Sequence, residues 1–254
     1  MICPQQFKNV QKRNLLILTV SEQLVDLAMG IRFEDLPPEV IREAEMRVLD
    51  ALGRIIAGSV GSTSQQVREI VSGLGGGQES RILGTRDMTS CEKATLVNCT
   101  SLRLFDYMDG HPGPYPCHAC FNIPPILAAA ERADANGKKF ITAIVTAYEI
   151  MPRFQENAGL PSLDKRGWAG GTNLEFSVPL AIAPLLGLDR EQTISAIGIS
   201  ITHGNALNAS SHGQIPESKS ILDGMTAMNA VVAVLLAYAG VAGPREVIEG
   251  SGDM

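Results

Sequence analysis

Aromatic residues and concentrated positive charge are both scarce in this sequence. Aromatics make up 5% of the 254 residues, whereas 45% are hydrophobic, so the core must be built mainly from aliphatic side chains. That composition suits closely packed helices. The formal net charge is -6, and neutralising nucleic-acid phosphates requires a concentrated basic patch. We therefore expect no nucleic-acid partner. A small anionic ligand remains possible, because a few local cations are enough to bind it.

Paired cysteines and long apolar runs are also lacking. Five cysteines, an odd number, accompany no signal-peptide pattern, which argues against a disulfide framework. The apolar run at 15–20 is short for a secretory segment, and no run approaches the roughly 18 apolar residues that span a bilayer. We expect a cytoplasmic protein without a membrane partner.

Helical periodicity covers most of the chain after residue 20. Ser21 is a candidate N-cap for a helix that ends at Gly30, and Pro37 with Pro38 opens a strongly periodic helix ending at Gly58. Asp189 with Gln192 forms a capping-box pattern before a later helix. About nine such segments predict an all-α fold, with an arm over 1–20 and one helical domain over 21–254.

One segment departs from this helical pattern, and the helix predicted after it carries two acids at its end. The stretch 80–90 contains the apolar run ILGT, which does not fit a helix and predicts a short extended piece. A helix predicted over 91–109 would carry Asp106 and Asp109 at its C-terminal end, where carboxylates oppose the helix dipole. That local cost points to a functional reason for the two acids.

The segment 103–121 concentrates polar chemistry between two apolar helical runs. It holds two acids, two histidines and two cysteines, namely Asp106, Asp109, His111, Cys117, His118 and Cys120. A zinc site would need a second well-spaced ligand pair, and haem attachment would need histidine where Phe121 follows the cysteines. A histidine oriented by a carboxylate for acid–base chemistry fits better, and a merely exposed loop histidine is the alternative.

A second polar segment contains the remaining histidines, His203 and His212, and is followed by Lys219. Lys219 begins an apolar helix, where its charge opposes the helix dipole, so an internal acid or a bound carboxylate should lie beside it. Arg166, in the loop around Trp168, is a second candidate cation. We predict that both polar segments and Lys219 form one pocket without a metal ion.

Four stretches, 48–59, 83–110, 180–200 and 219–244, occur in the same order as similar stretches of the MmgE/PrpD family, and the chain resembles that family from residue 21 onward. The resemblance implies a large all-helical domain, a homodimer, and small di- or tricarboxylate substrates handled without a metal or organic cofactor. It also implies a lyase-type activity, either a hydro-lyase or a carboxy-lyase.

The family's aspartate-rich motif, D-F-D-D-T, is matched here by residues 106–110. Asp106 and Asp109 keep two of its acids, whereas Met108 and Gly110 replace an aspartate and the threonine. His118 is the residue nearest to the family's catalytic histidine, and His111 is the rival assignment. The resemblance implies that Asp106 orients His118.

Two further family motifs assign the remaining candidates. Lys219 matches the family's lysine in T-K-R-L-H-A-G and is implied to bind a substrate carboxylate, while Ala169 stands where a second active-site histidine would be. Residues expected to bind substrate are His111, Asp109, Arg166, His203 and His212. Because Ala169, Met108 and Gly110 replace residues of the family motifs, a non-catalytic assembly or binding subunit is the alternative function.

Family chains continue for about the same length again, into a smaller α/β lid domain. This chain resembles the helical domain alone. We therefore expect a second subunit to supply the lid.

Overall fold

The computed structural model describes residues 18–111, 117–157 and 163–250. Those residues form nine α-helices and one two-stranded antiparallel hairpin, which confirms the all-α prediction. The elements, in chain order, are α1 (Val20–Gly30), α2 (Pro38–Gly58), α3 (Ser62–Gly73), β1 (Ser80–Arg81), β2 (Met88–Thr89), α4 (Cys91–Arg103), α5 (Ile123–Arg132), α6 (Gly137–Asn157), α7 (Leu174–Ile182), α8 (Arg190–His203) and α9 (Leu222–Tyr238).

The N-cap of the first helix lies two residues before the predicted one. Thr19 is the N-cap: its hydroxyl accepts from the Glu22 backbone N–H at 3.2 Å, and the Glu22 carboxylate accepts from the Thr19 N–H at 2.8 Å. This reciprocal pair is a capping box, so the assignment of Ser21 was wrong. Ser21 lies in the first turn with its side chain buried. The predicted box at Asp189 and Gln192 is confirmed at the start of α8.

The C-terminal end of α2 packs closely against α4. α2 runs from Pro38 to Gly58, as predicted, and buries Ala44, Ala51 and Ile55. A Cβ atom at position 58 would overlap the carbonyl oxygen of Ser101 in α4, so only glycine permits this approach.

The extended segment is a small hairpin. Ser80 pairs with Thr89 and Arg81 pairs with Met88. Both strands lie within the predicted segment 80–90, but the run ILGT, at 82–85, forms the connection between them rather than a strand. Asn98 of α4 holds this connection, accepting from the Leu83 N–H at 3.0 Å and donating to the Arg81 carbonyl at 2.9 Å.

Helix α9 lies at the centre of the bundle and contacts α4, α7 and α8. Its buried side chains are small, including Ala227, Ala230, Ala233 and Val234, so the neighbouring helices approach closely. Among the described residues, Glu217–Tyr238 is the one helical stretch long and apolar enough to cross a membrane. Its packing inside the bundle is that of a core helix.

Glu175 is a carboxylate buried among these helices. It lies in the first turn of α7, accepts a hydrogen bond from the Ser200 hydroxyl, and has both oxygens 3.3 Å from the Asn229 amide nitrogen. No ion pair to Glu175 occurs among the described residues. Burial raises the pKa of Glu175 to about 7, although the hydrogen bonds from Ser200 and Asn229 act in the opposite direction.

This carboxylate should make stability depend on pH. The folded pKa of about 7 exceeds the reference value of 4.5, so the folded state holds the proton more tightly. The free energy of unfolding should therefore fall as pH rises from about 4.5 through 7. Glu175→Gln has no carboxyl group to titrate at this position and should avoid this loss. When the pH is raised from 5 to 8, the free energy of unfolding of the variant should therefore increase by about 1–3 kcal/mol relative to that of the parent protein.

Urea unfolding of both proteins at the two pH values measures the difference. Glu69→Gln, on the exposed face of α3, is the matched control and should keep the parent's pH dependence. An unchanged pH dependence in Glu175→Gln would contradict the assignment.

Candidate active site

Helix α4 ends earlier than predicted, at Arg103, so Asp106 and Asp109 lie in the connection that follows it. The prediction that both acids end the helix was wrong. The Asp106 N–H donates to the Arg103 carbonyl at 3.0 Å, and Asp106 has a φ of 49°, in the left-handed region. This turn takes the carboxylate off the helix axis and toward Lys219.

Asp106 bridges two cations from distant parts of the chain. Its Oδ2 accepts from Lys219 Nζ at 2.9 Å, and its Oδ1 lies 3.4 Å from Arg103 Nε. Lys219, through its hydrogen bond, and Arg103, through its charge, hold the pKa of Asp106 below its usual value. Lys219 is in the 3-10 turn Glu217–Ile221, which leads directly into α9. The internal acid expected beside Lys219 is therefore Asp106.

Arg103 also forms a buried ion pair that sequence reasoning missed. Its Nη1 lies 3.1 Å from Asp223 Oδ2, and the two side chains are only 12% and 6% exposed. The guanidinium lies 5.5 Å from the centre of the Phe121 ring. Burial raises the pKa of Asp223, and the positive charge of Arg103 only partly offsets this effect. The sequence feature that could have indicated this pair is that Arg103 begins the first polar segment and Asp223 follows the second.

His118 is oriented by main chain rather than by Asp106. Its Nδ1 is 2.6 Å from the Asp109 carbonyl oxygen, so the neutral ring donates from Nδ1 and leaves Nε2 unprotonated. The structure thus differs from the predicted pairing of Asp106 with His118, because the Asp106 carboxylate is held by Lys219. The imidazole lies within electrostatic range of both Asp106 and Asp223.

The side chain of Asp109 is engaged within the protein. Oδ1 accepts from the Cys120 N–H at 3.1 Å, and Oδ2 accepts from the Tyr148 hydroxyl at 2.8 Å. These bonds fix the carbonyl that holds His118. Asp109 therefore positions the histidine instead of presenting the free carboxylate expected for substrate binding.

The loop that contains Arg166 packs beside the second polar segment. The Ala169 N–H donates to the Ala206 carbonyl at 2.8 Å, and the Asn208 N–H donates to the Gly167 carbonyl at 2.8 Å. Arg166 itself is exposed, whereas the Ala169 side chain is buried. Further along this loop, a Cβ at Gly171 would lie 2.7 Å from Asp223 Oδ1, so the loop closes against the buried ion pair.

The other three histidines do not contact the ionic cluster formed by Asp106, Lys219 and Arg103 in the described part of the chain. His111 Nε2 is 2.6 Å from Glu156 Oε1, and His111 lines a cavity of about 400 Å³ between α2 and α6 that His118 and Lys219 do not line. His203 Nδ1 and His212 Nδ1 are each 3.0 Å from main-chain carbonyls four residues earlier, and both side chains are exposed. Among the described residues, His111 therefore lies at a cavity separate from the ionic cluster of Asp106, Lys219 and Arg103, and in this respect the structure differs from the prediction of one pocket.

The cysteines of the first segment are buried parts of the core. Burial raises the pKa of the Cys117 thiol to about 12 and that of Cys120 well above its usual value, so neither is a ready nucleophile or metal ligand. Within residues 18–111, 117–157 and 163–250, no three His, Cys, Asp or Glu side chains group closely enough to hold a metal ion.

The chain matches the model of the MmgE/PrpD N-terminal domain over residues 22–253. It is similar to a cis-aconitate decarboxylase-like protein of Aspergillus oryzae (26% identity, covering 91% of this chain and 49% of the relative). It is also similar to cis-aconitate decarboxylases of Aspergillus terreus (24%; 91% and 48%) and Mus musculus (23%; 94% and 49%). The chain spans about half the length of these relatives.

The buried ion pair should be essential for stability. Asp223→Ala leaves the Arg103 guanidinium without its buried partner and should lower the free energy of unfolding by about 3–5 kcal/mol. Asp87→Ala, which removes an exposed carboxylate in the hairpin turn, should change it by less than about 0.5 kcal/mol.

Chemical unfolding of both variants checks this difference. A second test is the double variant Arg103→Met with Asp223→Leu, which removes both charges and should recover much of the lost stability. Equal stability of Asp223→Ala and the parent would show that the pair contributes nothing.

Proposed function

The chain belongs to the MmgE/PrpD family, in the part that its N-terminal domain represents, and from this premise we propose that it binds a small di- or tricarboxylate for a lyase reaction. The observation that carries the proposal is the meeting of two cations, Lys219 and Arg103, at one exposed carboxylate, Asp106, with the His118 imidazole within electrostatic range of that carboxylate. cis-Aconitate and 2-methylcitrate are the substrates we propose to test first.

The proposed base is His118. With its Nδ1 proton donated to the Asp109 carbonyl, Nε2 carries the lone pair that can remove a proton from a carbon next to a carboxylate. The resulting negative charge spreads onto the carboxylate oxygens. A nearby ammonium stabilises that charge, and this is the role proposed for Lys219.

Two outcomes are compatible with these groups. In a dehydration, the carbanion-like intermediate expels a neighbouring hydroxyl, which takes up a proton and leaves as water. In a decarboxylation, a carbon–carbon bond breaks, carbon dioxide leaves, and the carbon that keeps the electron pair accepts a proton, for which protonated His118 is the candidate donor. The relatives are cis-aconitate decarboxylases, which favours decarboxylation as the first assay.

We propose that further polypeptide covers this site. The Asp106 side chain is 56% exposed, and Phe105 and Tyr107 beside it are also exposed, so water reaches the reacting groups. Excluding water would strengthen the electrostatic interactions on which the proposed reaction depends. We propose that a second polypeptide corresponding to the unmatched half of the relatives supplies this cover, and that the helical domain is a homodimer.

A non-catalytic binding subunit is the second candidate function. Ala169 occupies the position of the family's second active-site histidine, and its methyl side chain is buried and cannot transfer a proton. Under this alternative the cations around Asp106 would still bind carboxylates. Ligand binding without turnover distinguishes it from the lyase.

Activity should depend on Lys219 and His118. In the complex with the second polypeptide, Lys219→Met should lower turnover of cis-aconitate or 2-methylcitrate by about 10²-fold, and His118→Gln by about 10²–10⁴-fold. Lys138→Met, an exposed lysine of α6 paired with Glu34, is the control and should keep full activity.

Carbon dioxide release and loss of substrate are the measurements. Full turnover by the isolated chain would contradict the need for a second polypeptide. A complex that is stabilised against heating by these carboxylates but turns none over would favour the binding subunit. Light scattering of the purified chain tests the homodimer.

A further inference from the structure

We propose that Arg103 and Lys219 form a carboxylate-binding subsite, and that Asp106 fills it as an internal anion which a ligand carboxylate displaces. The inference rests on the proposed carboxylate ligand and deepens it in two ways. It adds Arg103 as a specificity residue, and it gives Asp106 a role different from orienting the histidine.

The geometry around Asp106 is that of an occupied anion site. Its two oxygens are shared between two cations, with Oδ2 at 2.9 Å from Lys219 Nζ and Oδ1 at 3.4 Å from Arg103 Nε. A carboxylate on a ligand has the same planar pair of oxygens and the same charge. Any pair of cations that holds an aspartate in this way can hold the carboxylate of a small acid.

The contact between Asp106 and Arg103 leaves one donor of the guanidinium without a hydrogen bond. Arg103 Nε is buried, and no hydrogen-bond partner for it occurs in the described part of the chain, because Asp106 Oδ1 approaches without hydrogen-bond geometry. A guanidinium cannot lose its charge, so a buried N–H without an acceptor remains a standing cost. A carboxylate free of the main chain can approach closely enough to accept this hydrogen bond, which Asp106 does not do.

Of the three residues, Asp106 is the one able to leave. Its side chain is 56% exposed, and its φ of 49° is a conformation that non-glycine residues rarely adopt. Arg103 is held in place by Asp223 at 3.1 Å and by the Phe121 ring, and its side chain is only 12% exposed. Displacement of Asp106 would therefore expose a fixed guanidinium and leave the folded core intact.

The competing interpretation is a permanent clamp, in which the Asp106–Lys219 pair only joins the turn before α9 to the turn after α4. The two interpretations predict opposite effects of removing the Asp106 charge. A displaceable anion competes with the ligand, so its removal strengthens binding. A clamp organises the site, so its removal weakens binding or leaves it unchanged.

The experiment is a calorimetric titration with tricarballylate, a tricarboxylate that has neither a hydroxyl to eliminate nor a double bond. Asp106→Asn keeps the size of the side chain and should bind tricarballylate about tenfold more tightly than the parent, because the competent state no longer requires the pair to break. Asp87→Asn changes the net charge equally at an exposed position in the hairpin connection, which contributes no residue to the subsite, and should bind like the parent.

Adding Lys219→Met to Asp106→Asn should weaken binding by at least about tenfold, since the subsite then loses one of its cations. Circular dichroism verifies that each variant is folded. A second measurement needs no variant: carbon NMR of the Asp106 carboxyl should show its pKa returning toward the ordinary value when tricarballylate saturates the parent protein.

Equal or weaker binding by folded Asp106→Asn, or an Asp106 signal unaffected by saturating ligand, would overturn the inference. So would the absence of tricarballylate binding to both proteins. The same experiments distinguish failure of the lyase proposal from failure of the subsite proposal. Tighter binding by Asp106→Asn without turnover in the two-chain assay would support the subsite and contradict the lyase reaction. Turnover without tighter binding would do the reverse.

Discussion

The charge of the Arg103 guanidinium is the constraint on which the candidate site depends. Arginine stays protonated even when buried, so a chain that buries it must also bury an anion or leave a costly unpaired charge. Asp223, at the start of α9, supplies that anion at 3.1 Å. Because Gly171 packs directly against Asp223, one ion pair fixes α4, α9 and the loop around Trp168 relative to one another. Lys219 precedes Asp223 by four residues, so the same pair determines where its ammonium lies.

The buried carboxylates of Asp223 and Glu175 are stabilised in different ways. Asp223 is paired with a cation, whereas Glu175 has hydrogen bonds from Ser200 and Asn229 and a pKa raised to about 7. Hydrogen bonds alone do not compensate for the loss of hydration of a full charge, which is why Glu175 holds its proton more tightly than it would in water. Small residues make both arrangements possible, because the alanine-rich surface of α9 lets neighbouring helices approach closely around a few polar groups.

Local interactions explain why the helices could be predicted and the site only in part. The start of α8 at Asp189 and Gln192, and the end of α2 at Gly58, follow from residues within a few positions of each other. Asp106 and Lys219 are 113 residues apart, and nothing in either local sequence specifies their partner. The orientation of His118 was still less accessible, since it depends on a backbone carbonyl, which every residue possesses, and not on the acidic side chains that drew attention to the segment.

Charge balance limits how a ligand can enter this site. Arg103 and Lys219 carry two positive charges, and Asp106 and Asp223 carry two negative charges in the folded protein. A ligand carboxylate that simply joined them would bring an excess of negative charge into a partly desolvated cluster, where repulsion between carboxylates is strong. Asp223 cannot leave without exposing a buried guanidinium to an apolar environment. The exposed carboxylate of Asp106 can turn into water at little cost. Charge balance therefore makes Asp106, the anion that occupies the cation pair in the absence of ligand, the group that a ligand carboxylate replaces.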